Sequence, residues 1–353
     1  MKKEVIHLSL TLLLLLGHNS YAQEVTKTAL DEKTTELFKN SQILPIQLNY
    51  SNKHIKRNTN DSTYVSSELS YKLDDGSWKT LKMKIRARGN NRLKNCYFAP
   101  LKIKLKKKEV AGTLFEGHKK LKLVLPCLRQ EDNNDNILKE YLAYKLYEVI
   151  SPYHYKTRLV TIDYTDQNGN REKEHTLLGI LIEDLDNIAA RHNGAIIERS
   201  LHPLTMDDLC AAQNDFFQYM IGNTDYSTAY QHNQKLLFID KKIIPVPYDF
   251  DMSGLVDASY ATVPTIEDTS LHITSVTQRL FRGFQRELSI FYKLRESFLG
   301  KKTEMLDVMD RLEVHFDNSK EFTTARDYML SFFEVLQDSE KFKSEILQKA
   351  RIK

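Results

Sequence analysis

The sequence predicts an α+β protein whose first half is rich in strands and whose second half is mainly helical. Two observations lead to this prediction. Apolar residues alternate with a period of two in several segments before residue 184, and beyond residue 205 they recur at helical spacing. The chain has 353 residues, a length that suits two lobes sharing one cleft better than two independent domains.

Period-two alternation marks the strands of the first half. Four segments place an apolar side chain at every second position, which is typical of a strand with one buried face. They are 44–48, 81–85, 101–105 and 121–125. Residues 74–77, Asp-Asp-Gly-Ser, predict a hairpin turn, and two further strands are expected around 157–164 and 175–183.

Helical periodicity begins at Ile137 and predicts one long helix over about 134–150. Residues 205–208 resemble a capping box at the start of a second helix, which ends before Gly222. A short hairpin is expected over 235–247, followed by several amphipathic helices in the last part of the chain.

The N-terminus resembles an export signal. Two lysines precede an apolar run at 8–16, and small residues precede an expected cleavage before Gln23. The run is far shorter than the ~20 residues that span a bilayer, so we expect no transmembrane span after cleavage. The predicted division is a signal peptide 1–22, a polar segment 23–43, a strand-rich N-lobe 44–183 and a helical C-lobe 184–353. The protein is then exported, either to the periplasm or out of the cell.

Composition excludes several functional classes. The 51 basic residues nearly balance the 47 acidic ones, and a net charge of +4 is too even for a nucleic-acid binder. No two of the 12 glycines lie within four positions of each other, which excludes GxGxxG, and GxxxxGK[ST] is absent as well. Cys96, Cys127 and Cys210 show no zinc spacing and allow at most one intrachain pair, so we expect buried or free thiols.

Side chains suited to chemistry are concentrated in residues 223–254. Asp225 follows a glycine that ends a helix, so we expect it on a loop, and Asn233 begins the next strand. Asp249 and Asp251 are two residues apart and would point the same way on an extended strand. Two carboxylates and an amide oxygen suit Mg²⁺ or Mn²⁺. A separate aspartate is suited to accept a proton from an attacking hydroxyl.

This window, together with motifs before it, resembles the spore-coat CotH family of atypical, protein-kinase-like proteins. The similarity covers roughly residues 80 to 260, and its motifs occur in family order. They are Arg88-Gly89-Asn90, the basic strand 100–105, Leu121-Lys122-Leu123-Val124, the helix at Glu140, the strand from Gly179 to Glu183, and the polar set of residues 223–251. The resemblance implies a bilobal, protein-kinase-like fold that binds ATP with Mg²⁺ or Mn²⁺.

The resemblance also implies roles for individual residues. Asp225 matches the catalytic base, Asn233 and Asp251 match the metal ligands, and Asp249 lies at or next to the metal. The resemblance further implies that a lysine after the Arg-Gly-Asn turn neutralises phosphate and pairs with a glutamate. The sequence does not decide whether this lysine is Lys102 or Lys104, or whether the glutamate is Glu140 or Glu183. The implied nucleotide-binding set is Arg88, Asn90, Lys102, Lys104, Glu140 and Glu183.

The expected function is that of an exported kinase that phosphorylates a hydroxyl on an envelope or secreted protein or glycan. Two departures from the family pattern leave turnover open: Tyr226, not a basic residue, follows Asp225, and the metal motif ends Asp-Phe-Asp. One alternative is therefore a pseudokinase that serves as a binding or assembly protein of the cell envelope. Another is a metal-dependent hydrolase that uses the same carboxylates to activate water.

Overall fold

The computed structural model describes residues 33–129, 133–266 and 269–352. The expected export signal, 1–22, and the first part of the polar segment 23–43 lie outside these residues. Among the helices of the described chain, none combines the length and the apolar character needed to cross a lipid bilayer.

Strands in the first half of the described chain close into a seven-stranded barrel. These strands are β1 (Leu44–Tyr50), β2 (Val65–Lys72), β3 (Trp78–Ala87), β4 (Leu101–Leu105), β5 (Lys120–Val124), β6 (Thr157–Asn168) and β7 (Arg171–Glu183). Their order around the barrel is β1-β2-β3-β4-β5-β7-β6. The barrel is closed by β1 and β6, which pair in parallel and place Ile46 opposite Ile162.

The predicted bilobal, protein-kinase-like α+β fold, with a strand-rich N-lobe and a mainly helical C-lobe, is wrong. The structure is a closed barrel with helices packed against it. Alternation in the sequence identifies which side chains face inward, but it does not specify which strand edges pair. The pairing of β1 with β6 joins segments more than 100 residues apart and leaves the barrel without an open edge.

The barrel interior is filled by the side chains that alternate in the sequence. Ile85, Ile103 and Leu121 are fully buried, and burying a side chain of this size stabilises the fold by roughly 1.5–3 kcal/mol. Gly179 on β7 is favoured by close packing, because a Cβ atom there would lie 2.9 Å from the backbone O of Val124 on the neighbouring strand β5. Only glycine allows the two strands to approach this closely.

Helices lie between the barrel strands as well as after β7 in the chain. They are α1 (Glu36–Lys39), α2 (Asn52–Asn58), α3 (Asn90–Asn95), α4 (Lys107–Val110), α5 (Asn133–Ile150), α6 (Leu185–Arg191), α7 (Asp208–Met220), α8 (Leu288–Gly300), α9 (Lys302–Asp310), α10 (Ser319–Gln337) and α11 (Ser339–Phe342). Single turns of 3₁₀ helix lie at Pro203–Thr205 and Glu313–His315, and a π turn lies at Lys343–Leu347.

A smaller sheet lies outside the barrel. Its strands are β8 (Ala195–Ile197), β9 (Gln234–Ile239) and β10 (Lys242–Pro247), in the order β10-β9-β8. A separate two-stranded ribbon pairs β11 (Thr265–Ile266) with β12 (Thr269–Ser270). The β9–β10 pair is the hairpin that the sequence predicts over 235–247.

A second hydrophobic core lies under the helices. Leu142 of α5 and Phe216 of α7 are fully buried in it, together with Phe332 of α10. Helix α7 begins one residue after Asp207, whose side chain accepts a hydrogen bond from the backbone N of Cys210. The predicted capping box at 205–208 is therefore wrong, because the cap is the aspartate and not Thr205.

One disulfide is present in the described chain. Cys96, at the end of α3, is bonded to Cys127 beyond β5, and Cys210 is free. The expectation of unpaired thiols is wrong for the first two cysteines. Their separation of 31 residues gives no spacing signal, and the pair forms because the barrel brings the two segments together.

Candidate functional site

The loop after α7 carries Asp225. The chain turns at Gly222, whose φ is 64°, and a Cβ atom at that position would lie 1.9 Å from the Tyr328 hydroxyl. The Asn223 side chain then accepts a hydrogen bond from the backbone N of Asp225 at 3.0 Å. Asp225 thus lies on a loop, as the sequence predicts, and the loop is held by its own polar side chains.

His232 and Asn233, which directly precede β9, contact the Asp225 carboxylate. Asn233 Nδ2 donates to Asp225 Oδ2 at 3.1 Å, and His232 Nε2 lies 3.1 Å from Asp225 Oδ1. The hydrogen bond to Asp225 raises the pKa of His232, against an opposing effect of burial. The Asp225 side chain keeps about 24% of its surface exposed, so it is oriented and remains accessible.

Asp249 and Asp251 follow the end of β10. Asp249 has a φ of 65°, and its backbone N donates to the Tyr144 hydroxyl at 3.0 Å. The prediction that both aspartates lie on one extended strand is wrong, because this left-handed residue turns the chain between them. The two carboxylates nevertheless interact, since Asp249 contributes to the raised pKa of Asp251. Phe250 between them is buried in the core, as expected.

Arg92 forms the buried charged centre of this region. Its Nε donates to Asp251 Oδ2 at 2.8 Å, its Nη2 to Glu140 Oε2 at 3.3 Å and to the Tyr260 hydroxyl at 3.1 Å. Burial raises the pKa of both Glu140 and Asp251, while the Arg92 charge lowers it. The resemblance implies that Glu140 or Glu183 pairs with a lysine. In the structure Glu140 pairs instead with Arg92 of α3.

Lys122 on β5 lies on the basic side of the same region. Its Nζ is 4.5 Å from the ring centre of Tyr155 and 4.3 Å from that of Tyr248. Burial lowers the pKa of Lys122 to about 7, and the nearby Arg88 charge adds to this, against the attraction of carboxylates that include Asp249. The charge of Lys122 is therefore only weakly compensated, although Asp184 and Asp249 lie near enough to attract it.

The two lysines expected to bind phosphate differ in position. Lys102 is half-buried, lies 4.0 Å from an Asp184 carboxylate oxygen, and its charge acts on Lys122. Lys104 is exposed, with its Nζ 4.0 Å from the ring centre of Tyr64. The structure therefore brings Lys102 close to Lys122 and Asp184, and leaves Lys104 more exposed on the same face of β4.

Glu183 and Asn90 complete the predicted set. Glu183 is bound by Arg191, at 2.8 Å and 3.0 Å, and by the backbone N of Lys156. It therefore does not pair with Lys102 or Lys104. Asn90 begins α3, and its side chain lies outside the described part of the structure.

Sequence reasoning missed Arg92 and Lys122 as members of this cluster. Lys122 is the lysine of the Leu-Lys-Leu-Val motif, but like Lys102 and Lys104 it lies between two apolar residues of a strand. The local sequence therefore does not distinguish it from them. The strand register provides the missing signal, because it sets Lys122 directly opposite Lys102. Arg92 has no sequence signal, since its partners lie 48 and 159 residues away.

The metal ligands that the sequence predicts are oxygen donors, which is the ligand type that hard cations such as Mg²⁺ prefer. Within the described residues, no group of three or more His, Cys, Asp or Glu side chains could hold a metal ion. Asp249 and Asp251 would offer the one or two carboxylates that Mg²⁺ characteristically takes from a protein, and the Asn233 amide would offer one further oxygen. Arg92 already engages one oxygen of Asp251, so water or phosphate oxygens would have to complete the shell of any cation bound here.

The chain has no match to any protein-family model and none to a curated protein. The similarity to the CotH family thus rests on the quoted motifs and stays a prediction.

Proposed function

We propose that this chain is an exported, metal- and nucleotide-dependent phosphotransferase related to the CotH family. It would transfer a phosphoryl group from ATP to a hydroxyl on an envelope or secreted protein or glycan. The supporting observation is that Lys122 lies near both Arg88 and Asp249, and that Arg88 also lies near Glu140. Phosphate oxygens would complement the basic side chains, and a cation bound with the phosphate would complement the aspartates.

The proposed binding roles follow from the charges. Lys122, Lys102 and Arg88 bind phosphate oxygens, and the first of these regains its full charge when the phosphate anion arrives. Asp249, Asp251 and Asn233 would hold Mg²⁺ or Mn²⁺, which would neutralise charge on the transferred phosphate. Positioning and charge neutralisation are the main contributions a protein makes to this reaction.

Asp225 is the proposed base. The acceptor hydroxyl gives its proton to the Asp225 carboxylate while its oxygen bonds to the γ-phosphorus, and the bond from that phosphorus to the ADP oxygen breaks. His232 and Asn233 each contact one carboxylate oxygen of Asp225, so they act as positioning residues. The exposed part of the side chain faces the incoming hydroxyl.

The disulfide supports the proposed export. Disulfides form and persist in oxidising compartments and are rare in the cytosol. The bond between Cys96 and Cys127 lies four residues beyond Arg92 on one side and five beyond Lys122 on the other. It therefore cross-links the two segments that supply the buried arginine and the proposed phosphate-binding lysine.

A second candidate function is nucleotide binding without phosphoryl transfer, by a binding or assembly protein of the cell envelope. The Arg92–Asp251 ion pair favours it, because a carboxylate already neutralised by a buried guanidinium is a weaker metal ligand. The two functions share the binding residues and differ in whether Asp225 acts on an acceptor.

Thermal unfolding with ATP and MgCl₂ or MnCl₂ tests both candidates. At 100 times its Kd a ligand stabilises the folded state by ~2.7 kcal/mol, which is readily seen as a rise in Tm. Asp249→Asn and Lys122→Met should remove most of this rise. Asp225→Asn should keep it and lose the transfer of labelled phosphate to an envelope extract. Lys104→Met is the matched control and should bind nucleotide as the unaltered chain does.

The outcomes separate the candidates. If no nucleotide and metal pair raises the Tm, both candidate functions are wrong. A rise in Tm without any phosphate transfer supports the binding protein. Release of inorganic phosphate without a labelled acceptor would mean that water is the acceptor and that the protein is a hydrolase.

A further inference from the structure

The outer face of the barrel carries two rows of basic side chains across three adjacent strands. Strand register sets the members of each row directly opposite one another on β3, β4 and β5. The first row is Lys84, Lys104 and Lys120, and the second row is Arg86, Lys102 and Lys122. Like charges placed directly opposite on neighbouring strands destabilise a sheet, so this arrangement needs a reason outside the fold.

The first row is only partly neutralised by the protein. Lys120 Nζ lies 2.9 Å from Asp186 Oδ2. Lys84 and Lys104 are both exposed, and among the described residues no carboxylate oxygen lies within 4.0 Å of either amine. The centre of the face therefore holds two adjacent cations for which the described part of the chain provides no acidic partner within 4.0 Å.

A groove runs along this first row. It encloses about 680 Å³ and is lined by six lysines but only two glutamates. The lysines are Lys82, Lys84, Lys104, Lys106, Lys119 and Lys120. Lys102 and Lys122 do not line the groove, but they lie only two residues further along the same strands, about 7 Å away.

We propose that this groove binds a linear acidic polysaccharide. Its charge is complementary to carboxylate or sulfate groups repeated along a chain, and its concave shape suits a polymer strand better than a flat lipid surface. Lysines are mobile point charges that adapt to flexible anions. The binding follows from the charges of the groove and does not depend on phosphoryl transfer.

The groove lacks the feature that single-stranded nucleic acids require. Such ligands bind by stacking their bases on exposed aromatic rings. The aromatic ring beside the first row is Tyr64, and it is covered by Lys104 at 4.0 Å and by Arg86 at 5.6 Å. The structure therefore favours an anionic polymer without aromatic groups.

Binding of polygalacturonate to the purified chain tests the proposal, with neutral dextran as the uncharged control polymer. We expect binding to polygalacturonate and none to dextran, with an affinity that falls steeply as the salt concentration rises. The double variant Lys84→Gln/Lys104→Gln should bind about tenfold more weakly and with a smaller dependence on salt. The matched control Lys293→Gln/Lys349→Gln removes the same charge from exposed positions elsewhere and should bind normally.

Stability distinguishes loss of binding from loss of folding. Lys84→Gln/Lys104→Gln removes two facing charges, so its Tm should equal or exceed that of the unaltered chain. The proposal is overturned if this variant binds polygalacturonate as well as the control variant does. Equal or tighter binding of oligothymidylate, or of phosphatidylserine vesicles, would likewise assign the groove to a different partner.

Discussion

Replacing Lys122 with methionine should stabilise the free protein while it removes the proposed nucleotide binding. Lys122 lies half-buried between two tyrosine rings, and burial together with Arg88 disfavours its charged form. Methionine has a similar length and no charge, so it fills the same space without this penalty. A residue kept for binding at a cost in stability is a common feature of functional sites.

The size of the effect follows from the pKa of Lys122. A fall from its ordinary value of 10.5 to about 7 corresponds to about 5 kcal/mol of destabilisation when the lysine is fully charged. Two cation–π contacts, with Tyr155 and Tyr248, offset about 1 kcal/mol each. Lys122→Met should therefore be more stable than the unaltered chain by about 3 kcal/mol at pH 6.

This advantage should disappear at high pH. Between pH 7 and 10.5 the unfolded chain holds a proton on Lys122 that the folded chain has lost, so the stability of the unaltered protein rises with pH. Above pH 10.5 the side chain is neutral in both states, and the electrostatic gain of Lys122→Met is gone. Urea unfolding of both chains from pH 6 to pH 10.5 measures this difference.

Two results would refute the reasoning about Lys122. One is a methionine variant that is less stable than the unaltered chain at pH 6. The other is an identical dependence of stability on pH in both chains. Lys104→Met is the control, because an exposed lysine on the neighbouring strand should change stability by no more than about 0.5 kcal/mol.

Three further predictions concern the residues around the candidate site. Replacing both Cys96 and Cys127 with alanine should lower the free energy of unfolding by roughly 3–4 kcal/mol in urea, because the bond closes a loop of 31 residues; unchanged stability would contradict this. Arg92→Met should cost about 3–5 kcal/mol at pH 8 by leaving buried carboxylates without a counter-charge, and adding Glu140→Gln should recover part of it; a double variant that is less stable than the single one would count against this. Gly222→Ala should cost about 2 kcal/mol in the same assay and weaken nucleotide binding, because alanine is strained at a φ of 64° and its methyl group meets a tyrosine hydroxyl; wild-type stability would show that the loop tolerates a side chain.

Local sequence patterns identified much of the secondary structure. The alternating segments at 44–48, 81–85 and 101–105 are strands with their apolar side chains buried. The long helix α5 covers Asn133–Ile150, where helical periodicity predicts one over about 134–150. These features depend on neighbours within a few residues, so the sequence contains all the information they need.

Polar side chains were harder to assign than apolar ones. Asp225, Asn233, Asp249 and Asp251 were all recognised, and the structure places them in one region. The choice among lysines was not possible, because every lysine in the Leu-Lys-Leu strands has the same local pattern. Lys122 differs from the others only through the rings and charges that surround it in the folded chain.

By itself, the sequence determined which residues form strands and helices and which polar residues are candidates for chemistry. Only the tertiary structure decided that the strands close into a barrel and that Cys96 and Cys127 pair. It also decided that Arg92 joins Glu140 to Asp251 and that like charges face one another across β3, β4 and β5. These are contacts between segments far apart in the chain, and their energies depend on burial and register, which no local pattern encodes.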